Sequence, residues 1–120
     1  MFTGYNIQVL EGITYIRFTE SPSYDDIVVI LNEIANNYPY EKRLYDFSSI
    51  KFDLTYAELQ NLTYHGKQLF VKPNKLAAVA PDDLAYGEMN QFSVHREDEI
   101  CKTRYFRTEP EAIQWLNENI

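Results

Sequence analysis

The pattern of apolar and polar residues changes along the chain between the period of a strand and that of a helix. The stretch 76–80 is a short apolar run without charge, bounded by Lys75 and Pro81. Such a run predicts a strand buried on both faces, as in a parallel sheet with helices above and below. Asp82 can cap a helix directly after it. That helix carries apolar residues at helical spacing: Ala85, Met89 and Phe92.

The first residues predict an antiparallel hairpin. Residues 5–10 and 13–18 both alternate between apolar and polar positions, and Glu11-Gly12 separates them. Two β-rich runs joined by a two-residue turn with glycine are typical of a hairpin. Glycine is expected where the turn needs a positive φ.

The next segment predicts an amphipathic helix. Ser23 can cap it, and Asp25 and Asp26 follow, where negative charge is favourable at a helix N-terminus. Asn36-Asn37 and Pro39 end it. Its apolar face recurs at spacings of three and four: Tyr24, Ile27, Ile30, Leu31, Ile34, Ala35 and Tyr38.

Two further helices begin at capping boxes, in which a threonine is followed three residues later by a glutamate. These boxes are 55–58 and 108–111, and the second has Pro110 in its first turn. The first of these helices carries Leu59, Leu62, Gly66, Leu69 and Phe70 on one face. The second docks through Ala112, Trp115 and Leu116, with Ile113 and Ile120 at its flank.

Strands over 43–47 and 103–106 complete the element order β-β-α-β-α-β-α-β-α. Right-handed crossovers would make the last four strands parallel and leave the first antiparallel. The sequence therefore predicts an α/β fold with a single mixed, mostly parallel five-stranded sheet and four helices. With no linker, repeat or low-complexity segment, residues 1–120 are expected to form a single domain.

Composition excludes several classes of protein. No apolar run approaches the roughly 18 residues that a membrane span needs, and residues 1–5 lack the features of a signal peptide. The single cysteine, Cys101, permits no internal disulfide, which fits a cytoplasmic protein. A net charge of −7 without a basic stripe argues against nucleic-acid binding.

Three stretches resemble the SpoIIAA-like, or STAS-like, family of small bacterial proteins. Residues 75–89 are similar to that family's strand and following helix, and 105–116 to its aromatic strand, capping turn and Ala-x-x-Trp-Leu helix. Residues 43–47 resemble its central strand, which ends in an acidic residue. The resemblance covers nearly the whole chain and implies a non-catalytic cytosolic module that acts through protein–protein contact. The partner would be a different protein or a second copy of the same chain in a homodimer.

STAS domains proper are switched by phosphorylation of a serine in an Asp-Ser-Ser/Thr-Gly turn. The matching turn here is 52–57, which lacks the Ser-Gly core and offers only the hydroxyl of Thr55. Thr55 is therefore a candidate phosphorylation switch by resemblance, and helix capping is its alternative role.

Polar side chains are expected beyond the carboxyl ends of the parallel strands, where ligands collect in open α/β sheets. An acidic cluster with hydroxyls and an arginine could hold Mg²⁺ and a phosphate, although helix capping by Asp82 and Thr108 also explains it. The cluster comprises Asp46, Ser48, Ser49, Asp82, Asp83 and Arg107.

Other catalytic or metal-binding patterns are missing from the sequence. His65 and His95 lie in separate segments without metal-ligand spacing. The charged segment 95–99 is predicted to form a solvent-exposed helix end and loop. There is no nucleophile elbow, phosphate loop or dinucleotide fingerprint. We expect no cofactor, no metal and no enzymatic activity.

Two glycines inside predicted helices, Gly66 and Gly87, point to a second hypothesis. Glycine in a helix interior costs about 1 kcal/mol relative to alanine. Close packing of helix on sheet would explain these glycines. Alternatively, the missing side chains open a slot for a small apolar, lipid-like ligand. That slot would be walled by Tyr64, Phe70, Tyr86 and Met89.

Overall fold

The computed structural model of the chain describes residues 1–94 and 100–118, with the backbone alone for 91–94. Its elements are β1 (Tyr5–Leu10), β2 (Ile13–Phe18), α1 (Tyr24–Asn37), β3 (Lys42–Asp46), α2 (Tyr56–Leu69), β4 (Asn74–Val79), α3 (Asp83–Val94), β5 (Cys101–Phe106) and α4 (Glu109–Leu116). The predicted α/β order is confirmed. The side chains of Phe92 and Ile120, and the whole segment 95–99, lie outside the described residues.

The sheet has the strand order β1-β2-β3-β4-β5, which is also the order of the strands along the chain. β1 pairs antiparallel with β2, and the other neighbouring pairs are parallel. The mixed, mostly parallel five-stranded sheet is thus confirmed.

The β1–β2 turn has the backbone that a two-residue hairpin requires. Glu11 and Gly12 both have positive φ, at 51° and 80°, and Leu10 pairs directly with Ile13. Turns with positive φ at both central residues match the right-handed twist of the flanking strands. The predicted hairpin and its turn are confirmed.

Helix caps fix where α1, α2 and α3 begin. Ser23 and Thr55 both form reciprocal capping boxes, with Asp26 and Glu58 respectively. The backbone N–H of Ala85 donates to Asp82 Oδ1 over 2.8 Å. Each cap satisfies N–H groups that the first helical turn would otherwise leave unpaired.

The capping box predicted for Thr108 does not form. Thr108 occupies the N-cap of α4 without a side-chain cap hydrogen bond. Its hydroxyl instead donates to the Glu111 carboxylate over 2.7 Å. This hydrogen bond is charge-assisted and uses the carboxylate that a capping box would direct at the Thr108 backbone N–H. Pro110 in the first turn lacks an N–H and so reduces the number of donors to be capped.

Helices cover the two faces of the sheet unequally. Right-handed crossovers between neighbouring parallel strands put α1, α2 and α3 on the same face. We call this the three-helix face; its sheet residues include Ile16, Phe18, Tyr45, Phe47, Ala78 and Tyr105. α4 alone covers the other side, the α4 face, over Ile13, Tyr15, Leu44, Ala77 and Val79.

The α4 face is tightly packed, and its charges are paired. Trp115 and Leu116 are buried there, as the sequence predicts. Lys75 Nζ donates to the carbonyl oxygens of Trp115 at 3.0 Å and Glu118 at 2.9 Å. These bonds satisfy carbonyl groups that the C-terminal end of a helix leaves free. At the other end of α4, Arg17 forms an ion pair with Glu109.

None of the helices in the described part of the chain combines the length and apolar character needed to cross a membrane.

Candidate functional site

A cavity of about 110 Å³ lies between α2 and the three-helix face of the sheet. Most of its wall is apolar and aromatic. α2 and its ends contribute Leu62, Gly66 and Phe70, the sheet contributes Arg43, Tyr45 and Tyr105, and α3 contributes Met89. An apolar concavity with a few convergent polar groups is the usual form of a small-molecule site.

Arg43 is the unusual residue in this wall. Its side chain is 1% exposed, although arginine is almost never fully buried without a partner. Nη2 donates to Asn74 Oδ1 over 2.8 Å, whereas Nε and Nη1 have no hydrogen-bond partner. The ion pairs found within the described residues do not include Arg43.

The ring of Phe70 compensates Arg43 in part. The guanidinium carbon lies 3.6 Å from the centre of that ring, which is a close cation–π contact. Such a contact is worth about 2 kcal/mol when desolvated. Burying a charge costs several kcal/mol. The stacking uses the face of the guanidinium and leaves the in-plane N–H groups of Nε and Nη1 without acceptors, so these groups can still bind an anion.

Two neighbours of Arg43 on the same face also carry unpaired polar groups. Tyr45 is two residues further along β3, and Thr14 is the register partner of Arg43 on β2. The Tyr45 hydroxyl and Thr14 Oγ1 are both buried without a hydrogen-bond partner. Burial raises the pKa of Tyr45, although the nearby Arg43 lowers it in part. Tyr45 is therefore a neutral hydrogen-bond donor at ordinary pH.

The residues expected to wall a slot are only partly brought together. Gly66, Phe70 and Met89 all line the cavity. Tyr64 does not line it; its side chain is 64% exposed on the outer side of α2. Tyr86 and Gly87 also lie outside the cavity wall, and Gly87 is exposed on α3. The slot is thus a cavity of α2 and the sheet rather than one shared by two glycine-containing helices.

Close packing, the alternative explanation for the two glycines, is wrong. A Cβ added at Gly66 or Gly87 would meet no described atom within 4 Å. Neither glycine is therefore required for helix and sheet to approach. At Gly66, which lines the cavity, the missing side chain leaves room in the cavity itself.

The polar residues expected beyond the strand ends divide into two groups of contacts. Asp46 Oδ1 accepts from the backbone N–H of Ser48 over 2.9 Å, and Asp46 Oδ2 lies 4.0 Å from Arg17 Nε. Separately, Arg107 donates to Asp83 over 2.9 Å and to the Ala80 carbonyl over 2.7 Å.

These contacts are those of a structured sheet edge. Ser49 is exposed, and Asp82 is engaged in its cap. Across the described residues, no group of three or more acidic, histidine or cysteine side chains could hold a metal ion.

His65 Nε2 lies 3.3 Å from the Asn32 amide and so joins α2 to α1. His95 lies outside the described residues.

Thr55, the candidate phosphorylation residue, is engaged in the cap of α2. Its hydroxyl accepts from the Glu58 N–H over 3.2 Å, and Glu58 Oε1 accepts from the Thr55 N–H over 2.9 Å. Thr55 thus caps α2 and is at the same time exposed to solvent.

Sequence reasoning missed Arg43 and Tyr45 as site residues. The signal was their spacing, because alternate residues of a strand face the same side. Arg43, Tyr45 and Phe47 therefore share one face, and a charged residue among buried aromatics on the inner side of a sheet is unusual.

Comparison of the chain with models of known protein families and with curated proteins found no match.

Proposed function

We propose that this protein is a non-catalytic, STAS-like module of the bacterial cytosol that binds a small, mostly apolar ligand between α2 and the sheet. The observation that carries the proposal is the cavity of about 110 Å³ with its aromatic wall. An apolar cavity of about 150 Å³ binds benzene, so this smaller space would enclose a body of at most about that size.

The character of the wall favours binding over catalysis. Its described residues include an arginine, a lysine and tyrosines, but no carboxylate and no imidazole. General acid–base chemistry most often uses histidine, glutamate or aspartate. The STAS-like part of the proposal rests on the sequence resemblance and is supported by the matching order of strands and helices.

Met89 offers a direct test of ligand binding. The chain contains two methionines: Met89 is buried in the cavity wall, and Met1 is fully exposed. In protein labelled with ¹³C at the methionine methyl groups, titration with benzyl alcohol should shift the Met89 signal and leave the Met1 signal unchanged. A Met89 signal that does not respond to this or any similarly small apolar compound would contradict the proposal.

Two glycine variants provide a matched pair for the same titration. Gly66→Leu places a side chain into the cavity and should abolish the response of Met89. Gly87→Leu adds the same side chain on an exposed part of α3 and should leave the response intact. Equal loss in both variants would mean that the response does not report on the cavity.

Contact with another protein, or with a second copy of this chain, is a second candidate function. The observation that favours it is the exposure of Tyr56 and Tyr64 on α2, at 54% and 64%. Tyrosine is enriched at protein interfaces, and the net charge of −7 would favour a basic patch on a separate partner. Sedimentation velocity of wild type and Tyr64→Ser over a range of concentrations tests self-association. Wild type that stays monomeric throughout would exclude the homodimer.

A further inference from the structure

The polar groups of the cavity indicate the chemical class of its ligand. Within the described part of the chain, the buried side-chain N and O atoms without a partner belong to Thr14, Arg43 and Tyr45. These residues are neighbours on β2 and β3, and Arg43 and Tyr45 line the cavity. Three unrelated packing defects would be expected to scatter through the core; here they coincide at one place.

We propose that the cavity binds a small carboxylate, whose apolar body lies between α2 and the sheet and whose carboxylate is held by Arg43 and Tyr45. This inference rests on the proposed function, that the cavity takes a ligand, and adds the ligand's chemistry.

A carboxylate matches the donors that are free. Arginine is charged at every physiological pH, and its planar fork fits the two oxygens of a carboxylate. The N–H groups of Nε and Nη1 are without partners and can each donate to a carboxylate oxygen, and the Tyr45 hydroxyl can donate a further hydrogen bond. Among the described residues of the wall, Arg43 is the buried cation and Lys67 is an exposed one, so the charge buried in the cavity balances a single negative charge.

The size of the cavity selects small carboxylates over fatty acids. Its volume of about 110 Å³ is below the roughly 150 Å³ of a cavity that binds benzene, so it limits the enclosed body to at most a single ring or a short alkyl chain. A long acyl chain would have to leave most of its carbons outside the cavity. Benzoate and hexanoate are therefore suitable probes, and palmitate is the comparison that separates a free small acid from a lipid.

The acidic surface of the protein does not prevent this binding. The net charge of −7 repels anions at long range, but salt screens charges more than about 10 Å away. The interaction with Arg43 operates at hydrogen-bond distance in an apolar surrounding, where electrostatic interactions are much stronger than in water. The local cation therefore outweighs the general charge.

The test compares benzoate with benzamide, which has nearly the same shape and no charge. Wild type should bind benzoate at least about tenfold more tightly than benzamide, followed by calorimetry and by the Met89 methyl signal. Palmitate should bind more weakly than benzoate. If palmitate binds more tightly, the site takes a lipid, and the small-acid assignment is wrong.

Substitutions at Arg43 assign the preference to its charge. Arg43→Met keeps an unbranched side chain of similar length and should remove the preference for benzoate. Arg43→Lys keeps the charge and should retain part of the preference, which guards against a variant that merely disturbs the fold. Arg104→Met is the matched control. It removes an exposed arginine of the same sheet, whose guanidinium carbon lies 5.9 Å from the Trp115 ring, and should leave the preference unchanged.

Three results would overturn the inference. Equal affinity for benzoate and benzamide would leave the ligand-binding function standing but reject the carboxylate. Binding of neither compound would reject both. The third concerns Glu97, Asp98 and Glu99, acidic residues outside the described part of the chain. If the triple variant Glu97→Gln, Asp98→Asn, Glu99→Gln bound benzoate much more tightly than wild type, the chain's own carboxylates would occupy the site.

Discussion

The two faces of the sheet differ in the way that they are completed. The α4 face is covered by one short helix, yet Leu44, Ala77, Ala112 and Leu116 are all fully buried beneath it. The three-helix face is covered by three longer helices and nevertheless contains a cavity of about 110 Å³. The amount of covering structure therefore does not determine how completely a face is packed.

The charges of the two faces show the same contrast. On the α4 face, Lys75 and Arg17 reach helix carbonyl groups and a carboxylate. On the three-helix face, Arg43 is more deeply buried than either, and its partners among the described residues are an amide oxygen and an aromatic ring. The difference teaches that the charged groups of the α4 face have partners within the protein, whereas N–H groups of the buried cation on the three-helix face have none, as the proposed anion site requires.

The largest expected effect is on the α4 face. Trp115→Ala should lower the free energy of unfolding by about 3–5 kcal/mol, because a nearly fully buried ring is removed from a close-packed interface. Chemical denaturation followed by circular dichroism measures the change, with exposed Val29→Ala as the control. An unchanged midpoint would mean that α4 is peripheral and that the contrast between the faces is false.

A pair of cation-to-methionine substitutions should separate the faces next. Lys75→Met should cost about 1–2 kcal/mol, because two carbonyl groups at the end of α4 lose a charged donor. Arg43→Met should leave the stability of the ligand-free protein unchanged or raise it, because a buried charge that is only partly compensated is replaced by an apolar chain. Thermal and chemical denaturation report both. Strong destabilisation by Arg43→Met would show that Arg43 has a structural counter-ion.

The helical glycines give a smaller effect of the opposite sign. Gly66→Ala and Gly87→Ala should each raise the free energy of unfolding by about 1 kcal/mol, since alanine favours the helix and the added methyl group meets no described atom. Denaturation midpoints of the two single variants and of the double variant measure the gains and their additivity. A loss of stability at Gly66 alone would mean that α2 lies closer to the sheet than the cavity allows.

The smallest effect is expected at the start of α2. Thr55→Asp should change stability by only a few tenths of a kcal/mol, because aspartate caps as well as threonine, whereas Thr55→Ala should cost about 1 kcal/mol. Thermal denaturation separates the two variants. If Thr55→Asp kept its fold but lost the binding of benzyl alcohol or of a partner, the phosphorylation switch implied by the family resemblance would gain support.

Features that depend on near neighbours in sequence could be predicted. The turn at Glu11-Gly12 and the caps at Ser23 and Thr55 involve residues at most three positions apart, and all form as expected. Thr108 shows the limit of such rules, because its hydroxyl donates to the Glu111 carboxylate and the expected cap hydrogen bond does not form. A cap motif states that a bond is possible and does not rank it against competitors.

The cavity could not be predicted because it depends on separations between elements. A glycine inside a helix, such as Gly66, is unusual in the sequence. Whether its missing side chain allows α2 to pack on the sheet or leaves a cavity between them depends on where α2 lies over the sheet. The sequence does not predict the burial of Arg43, because a charged residue near a strand end usually reaches solvent. Only the register with Thr14, together with Asn74 and the ring of Phe70, shows that it does not.

The identity of strand order and chain order has a consequence for how the protein folds. Every strand pairs with the one before it, so each strand can join the sheet once the preceding strand is in place. The exception is α4, which must return across β3 and β4 after both are in place. Until it docks, the apolar strip over Ile13, Leu44 and Ala77 is open to solvent, and an intermediate at this stage would be prone to aggregate. The solubility of the newly folded chain thus depends on the docking of α4, which is the shortest helix of the fold.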